Sequence, residues 1–338
     1  MNGDGFDDVI VGAIWFNSGQ TNEGRAFVYL GSPSGPSATA SWTAESNQVG
    51  AWFGDSVSGA GDVNGDGFAD VIVGASDFDT GQGVGAAFVF HGDFSIANLV
   101  PSQAATSLEA DDPDIGDFGY SLASAGDVNG DGYGDVIVGA PFGAASEGFA
   151  FVFHGSPAGI SSGGATATAA ARITSDQADA ELGRSVAGAG DVNGDGFGDI
   201  VVGAKGYDAG DEDEGLALIY LGGAAGTGDG DPSTADTRLE GNQQSAEFGG
   251  TVASAGDVNG DGFADLIVAG LNYDAGQPFE GAAFVFHGGA GGIADGGPAS
   301  AATRLETDTM NLGLEEASGA GDVNGDGFAD VIVAAHDR

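Results

Sequence analysis

The nine-residue pattern Asp-x-Asn-Gly-Asp-Gly-x-x-Asp constrains this 338-residue chain more than any other feature, because it occurs five times. Successive copies are 64 to 66 residues apart, and they begin at Asp62, Asp127, Asp191, Asp257 and Asp322. A shortened sixth copy starts the chain, where Asn2, Asp4 and Asp8 match positions three, five and nine. We call these segments the acidic loops. Their regular period predicts one structural unit repeated along the whole chain.

Each repeat is predicted to form four short strands. In residues 53–117 a segment of small residues follows Phe53-Gly54, and the acidic loop comes next. The uninterrupted apolar run Val71–Ala75 is typical of a strand covered on both faces. A Gly-rich turn leads to Ala86–Phe90, and Thr106–Leu108 completes the unit. Short strands separated by turns, without helical periodicity, predict an all-β fold, a β-propeller of four-stranded antiparallel blades.

The same period sets the predicted blade boundaries. A parallel β-helix, the alternative fold with Gly- and Asp-rich calcium repeats, has a turn much shorter than this period. A seven-bladed ring needs about seven periods, so we expect an incomplete segment of a larger ring, with a smaller ring closed by strand exchange as the alternative. The segments, all in one propeller domain, are a partial blade without its first strand at 1–52, blades at 53–117, 118–181, 182–247 and 248–312, and a partial blade of two strands at 313–338.

Charge limits the classes of partner. The chain has 7 Lys and Arg against 51 Asp and Glu, which gives a formal net charge of −44. So few basic side chains cannot neutralise phosphates, and we therefore expect no nucleic-acid partner and favour cations. The absence of Cys excludes disulfides and thiolate metal sites. No apolar run approaches the ~18 residues of a membrane span, so no direct membrane insertion is expected.

Each acidic loop has the donor spacing of a hard-cation site. Side-chain oxygens at positions one, three, five and nine, with the main-chain carbonyl of position seven, can surround Ca²⁺. Gly at position six permits the sharp turn. Oxygen-only ligands select Ca²⁺ over Zn²⁺ or Cu²⁺. An EF-hand would need Glu at position twelve, where every complete copy has Val.

The loops therefore predict five complete calcium sites and one truncated site. A turn without metal is disfavoured, since carboxylates within ~4 Å of each other repel by a few kcal/mol per pair. The predicted ligands, with the aromatic residue of each loop acting through its carbonyl, are Asn2, Asp4, Phe6, Asp8, Asp62, Asn64, Asp66, Phe68, Asp70, Asp127, Asn129, Asp131, Tyr133, Asp135, Asp191, Asn193, Asp195, Phe197, Asp199, Asp257, Asn259, Asp261, Phe263, Asp265, Asp322, Asn324, Asp326, Phe328 and Asp330.

One repeat carries the signature of a known family. Phe118-Gly119, the loop from Asp127 to Asp135, and Gly139-Ala140-Pro141 resemble the FG-GAP repeat, the blade unit of the integrin α-subunit propeller and of many bacterial surface and secreted proteins. The resemblance covers practically the whole chain and implies calcium-stabilised adhesion or ligand binding, with no catalytic residues. The departures from the pattern are Leu182-Gly183, Ala269-Gly270-Leu271, and Leu312-Gly313, which lies one residue too far from its loop and predicts a bulge.

Other polar and aromatic residues suggest simpler roles. The residues His91, His154 and His287 share one repeat position, which predicts a strand-end role rather than catalysis. The acidic run from Asp211 to Glu214 is predicted to be a solvated loop, with a second cation site as the alternative. Four Glu residues that precede a Gly at the third strand are predicted to accept hydrogen bonds in turns: Glu23, Glu147, Glu214 and Glu280. Four aromatic residues are predicted to pack between blades, with sugar stacking or a protein contact as the alternative: Trp15, Trp42, Trp52 and Tyr207.

Together these features predict a function without catalysis. We expect a calcium-binding propeller that acts as an extracellular or cell-surface adhesion or recognition module, with a protein or glycan ligand. The absence of any Asn-x-Ser/Thr sequon favours a bacterial source. The alternative is a carbohydrate-binding, non-catalytic propeller attached to a secreted enzyme such as a polysaccharide lyase or a phospholipase.

Overall fold

The computed structural model describes residues 1–81, 83–92 and 99–337 of an all-β chain. It divides into two compact units. The first contains Met1–Asp127, Asp131–Ala144 and Phe151–Arg172, and the second contains Val128–Gly130, Ala145–Ala150 and Ile173–Arg338. Residue 338 ends the predicted two-stranded segment and lies outside the described residues. The blade boundaries stay predictions, but the strands recur with the predicted period.

The first unit begins with a three-stranded antiparallel sheet, β1-β2-β3, and continues with the sheet β4-β5-β6-β7. A fifth strand, β11, joins the second sheet by pairing in parallel with β7. The next sheet has the order β8-β9-β10-β12. These strands are β1 Val9–Ala13, β2 Arg25–Tyr29, β3 Trp42–Glu45, β4 Phe53–Gly61, β5 Asp70–Asp79, β6 Val84–Phe90, β7 Thr106–Glu109, β8 Ser121–Gly126, β9 Asp135–Ala140, β10 Phe149–Phe153, β11 Gly163–Gly164 and β12 Ala171–Thr174.

The second unit contains two complete antiparallel sheets, β13-β14-β15-β16 and β17-β18-β19-β20, and a two-stranded sheet, β21-β22. Its strands are β13 Leu182–Gly190, β14 Asp199–Ala204, β15 Leu216–Tyr220, β16 Thr237–Glu240, β17 Phe248–Gly256, β18 Asp265–Gly270, β19 Ala282–Phe286, β20 Thr303–Glu306, β21 Leu312–Gly321 and β22 Asp330–Asp337. In the part of the chain that the structure describes, the helical segments of both units are short: α1 Ala165–Thr168 and the 3₁₀ turns Pro101–Gln103, Ala144–Ser146 and Pro298–Ser300.

The cores form between neighbouring sheets. The second strand of each complete sheet is buried on both faces over its apolar run, as the sequence predicted for Val71–Ala75. In the first unit, Trp42 and Phe90 pack edge to face, with ring centroids 5.1 Å apart. In the second unit, Phe248 contacts both Phe284 and Phe286. These buried rings pack with Val, Leu, Ile and Ala side chains in the same clusters.

The Phe53-Gly54 pair at the start of β4 brings the backbone of this strand into direct contact with the preceding sheet. Phe53 is fully buried and forms a parallel bridge with Gly24. Gly54 has φ +89°, and a Cβ added at Gly12 would lie 1.9 Å from the Gly54 carbonyl oxygen. Because the two backbones touch, only Gly fits at these positions.

The final sheet adapts to the shifted Leu312-Gly313 pair. Its first strand forms, and its register with β22 shifts between Leu314 and Glu316. The registers of β4, β13 and β17 shift near their starts as well, so this irregularity is not specific to the final sheet. A Cβ added at Gly281 would lie 2.3 Å from the backbone nitrogen of Leu314, which is the contact that Phe53 makes with Gly24. Leu314 is 2% exposed. Leu314, and not Leu312, therefore takes the buried position that Phe53 holds in its own sheet.

Candidate metal centre

Each acidic loop is a tight turn held by its own carboxylates. In the loop of residues 62–70, Asp62 Oδ1 accepts hydrogen bonds from the backbone N–H groups of Gly65 at 2.7 Å and Asp66 at 3.1 Å. Asp62 Oδ2 accepts from Gly67 N–H at 2.9 Å. The Asp66 N–H also donates to Asn64 Oδ1 at 2.9 Å. Oxygens of positions one and three therefore converge on a single backbone N–H.

Position five continues the same network. Asp66 Oδ1 accepts from Phe68 N–H at 2.9 Å, and Asp66 Oδ2 accepts from Asn64 Nδ2 at 2.8 Å. The N–H bond to position five recurs in the loops of residues 191–199, 257–265 and 322–330. The Asn side-chain bond to position five recurs in the loops of residues 191–199 and 257–265. The shortened first loop repeats the contacts that its residues allow, including Phe6 N–H to Asp4 Oδ1 at 3.0 Å. The repeated pattern therefore encodes one local backbone conformation.

Position nine has a different role from the exposed positions. Asp70 is fully buried, and its Oδ2 closes the loop by accepting from Val63 N–H at 2.9 Å. Its Oδ1 accepts from Gly92 N–H at 2.7 Å, just beyond β6. Asp199 and Asp265 make the same two bonds. The position-nine carboxylate therefore anchors the loop to the third strand of its own sheet.

Burial and hydrogen bonding move the carboxylate pKa values in opposite directions. Burial raises the pKa of Asp70, and it raises the pKa of Asp199 to about 6, although both accept two backbone hydrogen bonds. The exposed Asp66 has a lowered pKa because the backbone of Phe68 and then the Asn64 side chain donate to it. Backbone donors likewise lower the pKa of Asp257. Asp66 and Asp257 therefore stay ionised to a lower pH than an ordinary Asp.

The chemistry of these residues fits a hard divalent cation, but a finished cage is not formed. Among residues 1–81, 83–92 and 99–337, no group of three or more His, Asp or Glu side chains is close enough to hold a metal ion. All predicted ligands are oxygens, and those of positions one and three already converge. The five-ligand site at each loop stays a prediction.

Comparison with known proteins assigns the repeats. The model of the family described as "FG-GAP repeat" matches residues 53–90, 118–153, 182–220, 248–286 and 316–338, which together make up more than half of the chain. The chain belongs to the FG-GAP repeat family. Its acidic loops are therefore the loops between the first and second strands of FG-GAP blades, and the expected fold class is confirmed.

Several relatives of this FG-GAP protein are integrins. Integrin alpha-5 of Xenopus laevis is 36% identical over 183 residues, which cover 52% of this chain and 16% of the relative. Integrin alpha pat-2 of Caenorhabditis briggsae is 36% identical over 222 residues, which cover 60% and 17%. Among solved structures, Sqt1 from Chaetomium thermophilum aligns with a TM-score of 0.49 at 14% identity, covering 97% of this chain and 67% of that one. The chain thus spans less than a fifth of the length of these integrins.

The histidine and glutamate positions predicted to have structural roles lie at strand ends and in turns of the FG-GAP repeats. His91 directly follows β6, which places it at a strand end as predicted. Of the four glutamates predicted to be turn acceptors, three accept a backbone N–H: Glu23 from Ser18, Glu214 from Asp211 and Glu280 from Gln277. No such bond is described for Glu147.

The acidic run from Asp211 to Glu214 and the four aromatic residues singled out from the sequence each contain both exposed and buried members. Asp211 to Asp213 are exposed, as predicted for a solvated loop, whereas Glu214 is buried. Trp42 is in the core and Tyr207 is buried, but Trp15 is 69% exposed. Trp52 is 38% exposed and has a left-handed backbone. Packing was therefore the correct prediction for two of the four aromatics.

Sequence reasoning missed a second carboxylate cluster in the first unit. The Ser76 hydroxyl donates to Asp55 Oδ2. Burial raises the pKa of Asp55 and of Asp117, and the charges of Asp77 and Asp55 raise that of Asp117 further. Asp55 and Asp77 have no acidic counterparts in the repeats at 118–181, 182–247 and 248–312, and the fold brings them near Asp117, so the repeat pattern did not predict the cluster.

A cavity of about 610 Å³ in the second unit was also not predicted. Its lining includes Arg238, Asn242, Tyr273, Asp295 and Ser300. The Arg238 guanidinium pairs with Glu240 at 3.1 Å and lies 5.9 Å from the Tyr207 ring centroid. The cavity therefore combines an aromatic ring with several hydrogen-bonding groups.

Among the described residues, no helix is both long and apolar enough to span a membrane.

Proposed function

We propose that this protein is a calcium-binding FG-GAP β-propeller that recognises a protein or glycan ligand outside the cell, without catalysis of its own. The observation that carries the proposal is the repetition of one loop conformation whose exposed side chains are oxygen donors at fixed spacing. Ca²⁺ prefers such carboxylate, amide and carbonyl oxygens. In a chain of net charge −44, a bound divalent cation also relieves repulsion between neighbouring carboxylates.

Both the exposed and the buried positions of each loop would coordinate the ion. Carboxylate and amide oxygens of positions one, three and five would bind Ca²⁺ from the solvent side, with the carbonyl of position seven. The buried position-nine carboxylate would add a ligand while it keeps the loop closed. The similarity to integrin alpha chains supports a recognition role and an extracellular location. The proposal includes a bacterial source, which the absence of an Asn-x-Ser/Thr sequon favours.

Calorimetric titration with Ca²⁺ tests the proposal. We expect five or six bound ions per chain and one ion fewer in Asp195→Ala, which lacks the position-five carboxylate of its loop. Asp211→Ala is the matched control, because it removes an equal charge from an exposed loop outside the acidic loops. Two or fewer ions in the unaltered protein would contradict the calcium assignment.

The cavity beside Arg238 favours a second candidate, carbohydrate binding by a propeller attached to a secreted enzyme. An aromatic ring and planar hydrogen-bonding groups suit the faces and hydroxyls of a sugar. Glycan-array binding should then be lost in Arg238→Met and kept in Arg304→Met, since Arg304 holds the same strand position in β20. Turnover in a hydrolase panel that one carboxylate substitution abolishes would overturn the non-catalytic function.

A further inference from the structure

The acidic loops contact each other through their aromatic residues. The ring at position seven of one loop lies over the Gly at position four of the preceding loop. A Cβ added at that Gly would lie 2.5 to 3.0 Å from the nearest ring carbon in five successive pairs. The pairs are Phe68 over Gly3, Tyr133 over Gly65, Phe197 over Gly130, Phe263 over Gly194 and Phe328 over Gly260.

A backbone hydrogen bond joins the same loops. The N–H of position eight donates to the carbonyl of position one in the preceding loop: Gly134 to Asp62 at 2.8 Å, Ala264 to Asp191 at 3.0 Å and Ala329 to Asp257 at 2.9 Å. Positions seven and eight of one loop thus hold positions one and four of another. Residues at these places are predicted cation ligands or their immediate neighbours.

We infer that the position-seven aromatic is a positioning residue for the cation site of the preceding repeat. This inference rests on the proposed calcium binding. The ring presses on the peptide between the Asn of position three and the Asp of position five, and so restrains both donors. The same residue offers its carbonyl to the cation of its own loop. A cation in one loop therefore fixes the ring that orders the neighbouring loop, and adjacent sites bind Ca²⁺ with positive coupling.

Phe263 provides the sharpest test, because both loops that it joins lie in the second unit. Phe263→Ala keeps the position-seven carbonyl but removes the ring from Gly194. We expect calorimetry to show about tenfold weaker Ca²⁺ binding at one site, which is within the usual range of coupling between sites. Phe263→Tyr should restore the affinity, because Tyr133 occupies the same position in another loop.

A double-mutant cycle identifies the affected loop. Asp195→Ala disables the preceding loop, and Asp261→Ala disables the loop that contains Phe263. If the inference is correct, Phe263→Ala has no further effect on Ca²⁺ binding in the Asp195→Ala background. In the Asp261→Ala background it still weakens binding at the loop of residues 191–199, but by less than in the unaltered protein, because the cation that fixes the ring is already absent. The reverse result, or unchanged affinity in Phe263→Ala, would overturn it. Absence of Ca²⁺ binding in the unaltered protein would instead refute the proposed function.

A pair of glycine variants keeps the inference testable if Phe263→Ala does not fold. Gly260 and Gly325 occupy the same loop position with φ +75° and +76°, but only Gly260 lies under a ring. Alanine is equally strained by the backbone at both, so the difference reports the ring contact alone. Gly260→Ala should weaken Ca²⁺ binding at its loop several-fold more than Gly325→Ala does at its own. Equal weakening would contradict the positioning role.

Discussion

At the scale of single residues, burial decides what a carboxylate does in this protein. Asp261 is exposed, whereas Asp265, four residues later in the same loop, is fully buried and satisfied by two backbone N–H groups. The nine-residue spacing predicted both as calcium ligands. It could not show that one of them also anchors the loop, because the partner of Asp265, Gly288, is distant in the sequence.

Asparagine variants separate the anchor from the exposed ligand. In the presence of a chelator, Asp265→Asn should destabilise the protein by about 1 to 3 kcal/mol, since an amide group cannot accept both backbone hydrogen bonds. Asp261→Asn should have little effect under the same conditions. Denaturant unfolding measures both free energies. Equal losses of stability would contradict the distinct anchoring role of position nine.

The cluster of Asp55, Asp77 and Asp117 predicts a pH dependence that is independent of the acidic loops. The pKa of Asp117 is raised above its ordinary value of 3.8 in the folded state. Between that value and the raised pKa, the unfolded chain loses its proton while the folded chain keeps it. The contribution of Asp117 to stability is therefore greatest at acid pH and falls as the pH rises through this window.

Asp117→Asn should remove the loss of stability that accompanies ionisation of Asp117. We expect the variant to unfold at a higher temperature than the unaltered protein at pH 7, with a difference that shrinks toward pH 4. Asn also tolerates the left-handed backbone of Asp117, at φ +55°. Asp114→Asn is the control, because Asp114 is an exposed neighbour. A constant difference across this pH range would mean that Asp117 is not the titrating group.

At the scale of elements, the central strands were predictable because each one is an uninterrupted run of apolar residues, as expected for a strand buried on both faces. The predicted run Val71–Ala75 lies within β5, and Ala86–Phe90 lies within β6. The parallel strand β11 was not predicted, since two glycines carry no strand signal and pair with β7 only through tertiary packing. The move of the buried position from Leu312 to Leu314 has the same origin: packing against Gly281 overrides the sequence repeat.

Alanine substitutions test this shifted position. Leu314→Ala should cost about 2 to 4 kcal/mol of stability, as expected for a large apolar side chain removed from a packed core. Leu312→Ala should cost about 1 kcal/mol or less, because Leu312 is only partly buried. Urea unfolding of the two variants measures the difference. A larger loss of stability in Leu312→Ala than in Leu314→Ala would show that Leu312, and not Leu314, occupies the buried position.

At the scale of the whole molecule, repeated charge is the dominant feature. The chain has a formal net charge of −44, and its exposed loop carboxylates recur in every repeat. Self-repulsion of this size opposes the compact state. At millimolar Ca²⁺ and a Kd near 10⁻⁴ M, each occupied site stabilises the fold by about 1.4 kcal/mol. Five such sites give about 7 kcal/mol, comparable with the whole stability of an ordinary domain.

The most direct test of calcium binding is thermal unfolding followed by circular dichroism at constant ionic strength, with EGTA, with Ca²⁺ and with an equal concentration of Mg²⁺. We expect a large rise in the unfolding temperature with Ca²⁺ over EGTA and a much smaller rise with Mg²⁺, which screens charge equally but demands a more rigid octahedral site than a flexible loop offers. An unfolding temperature that is the same in all three conditions would show that the acidic loops are turns without a metal, and would contradict the account.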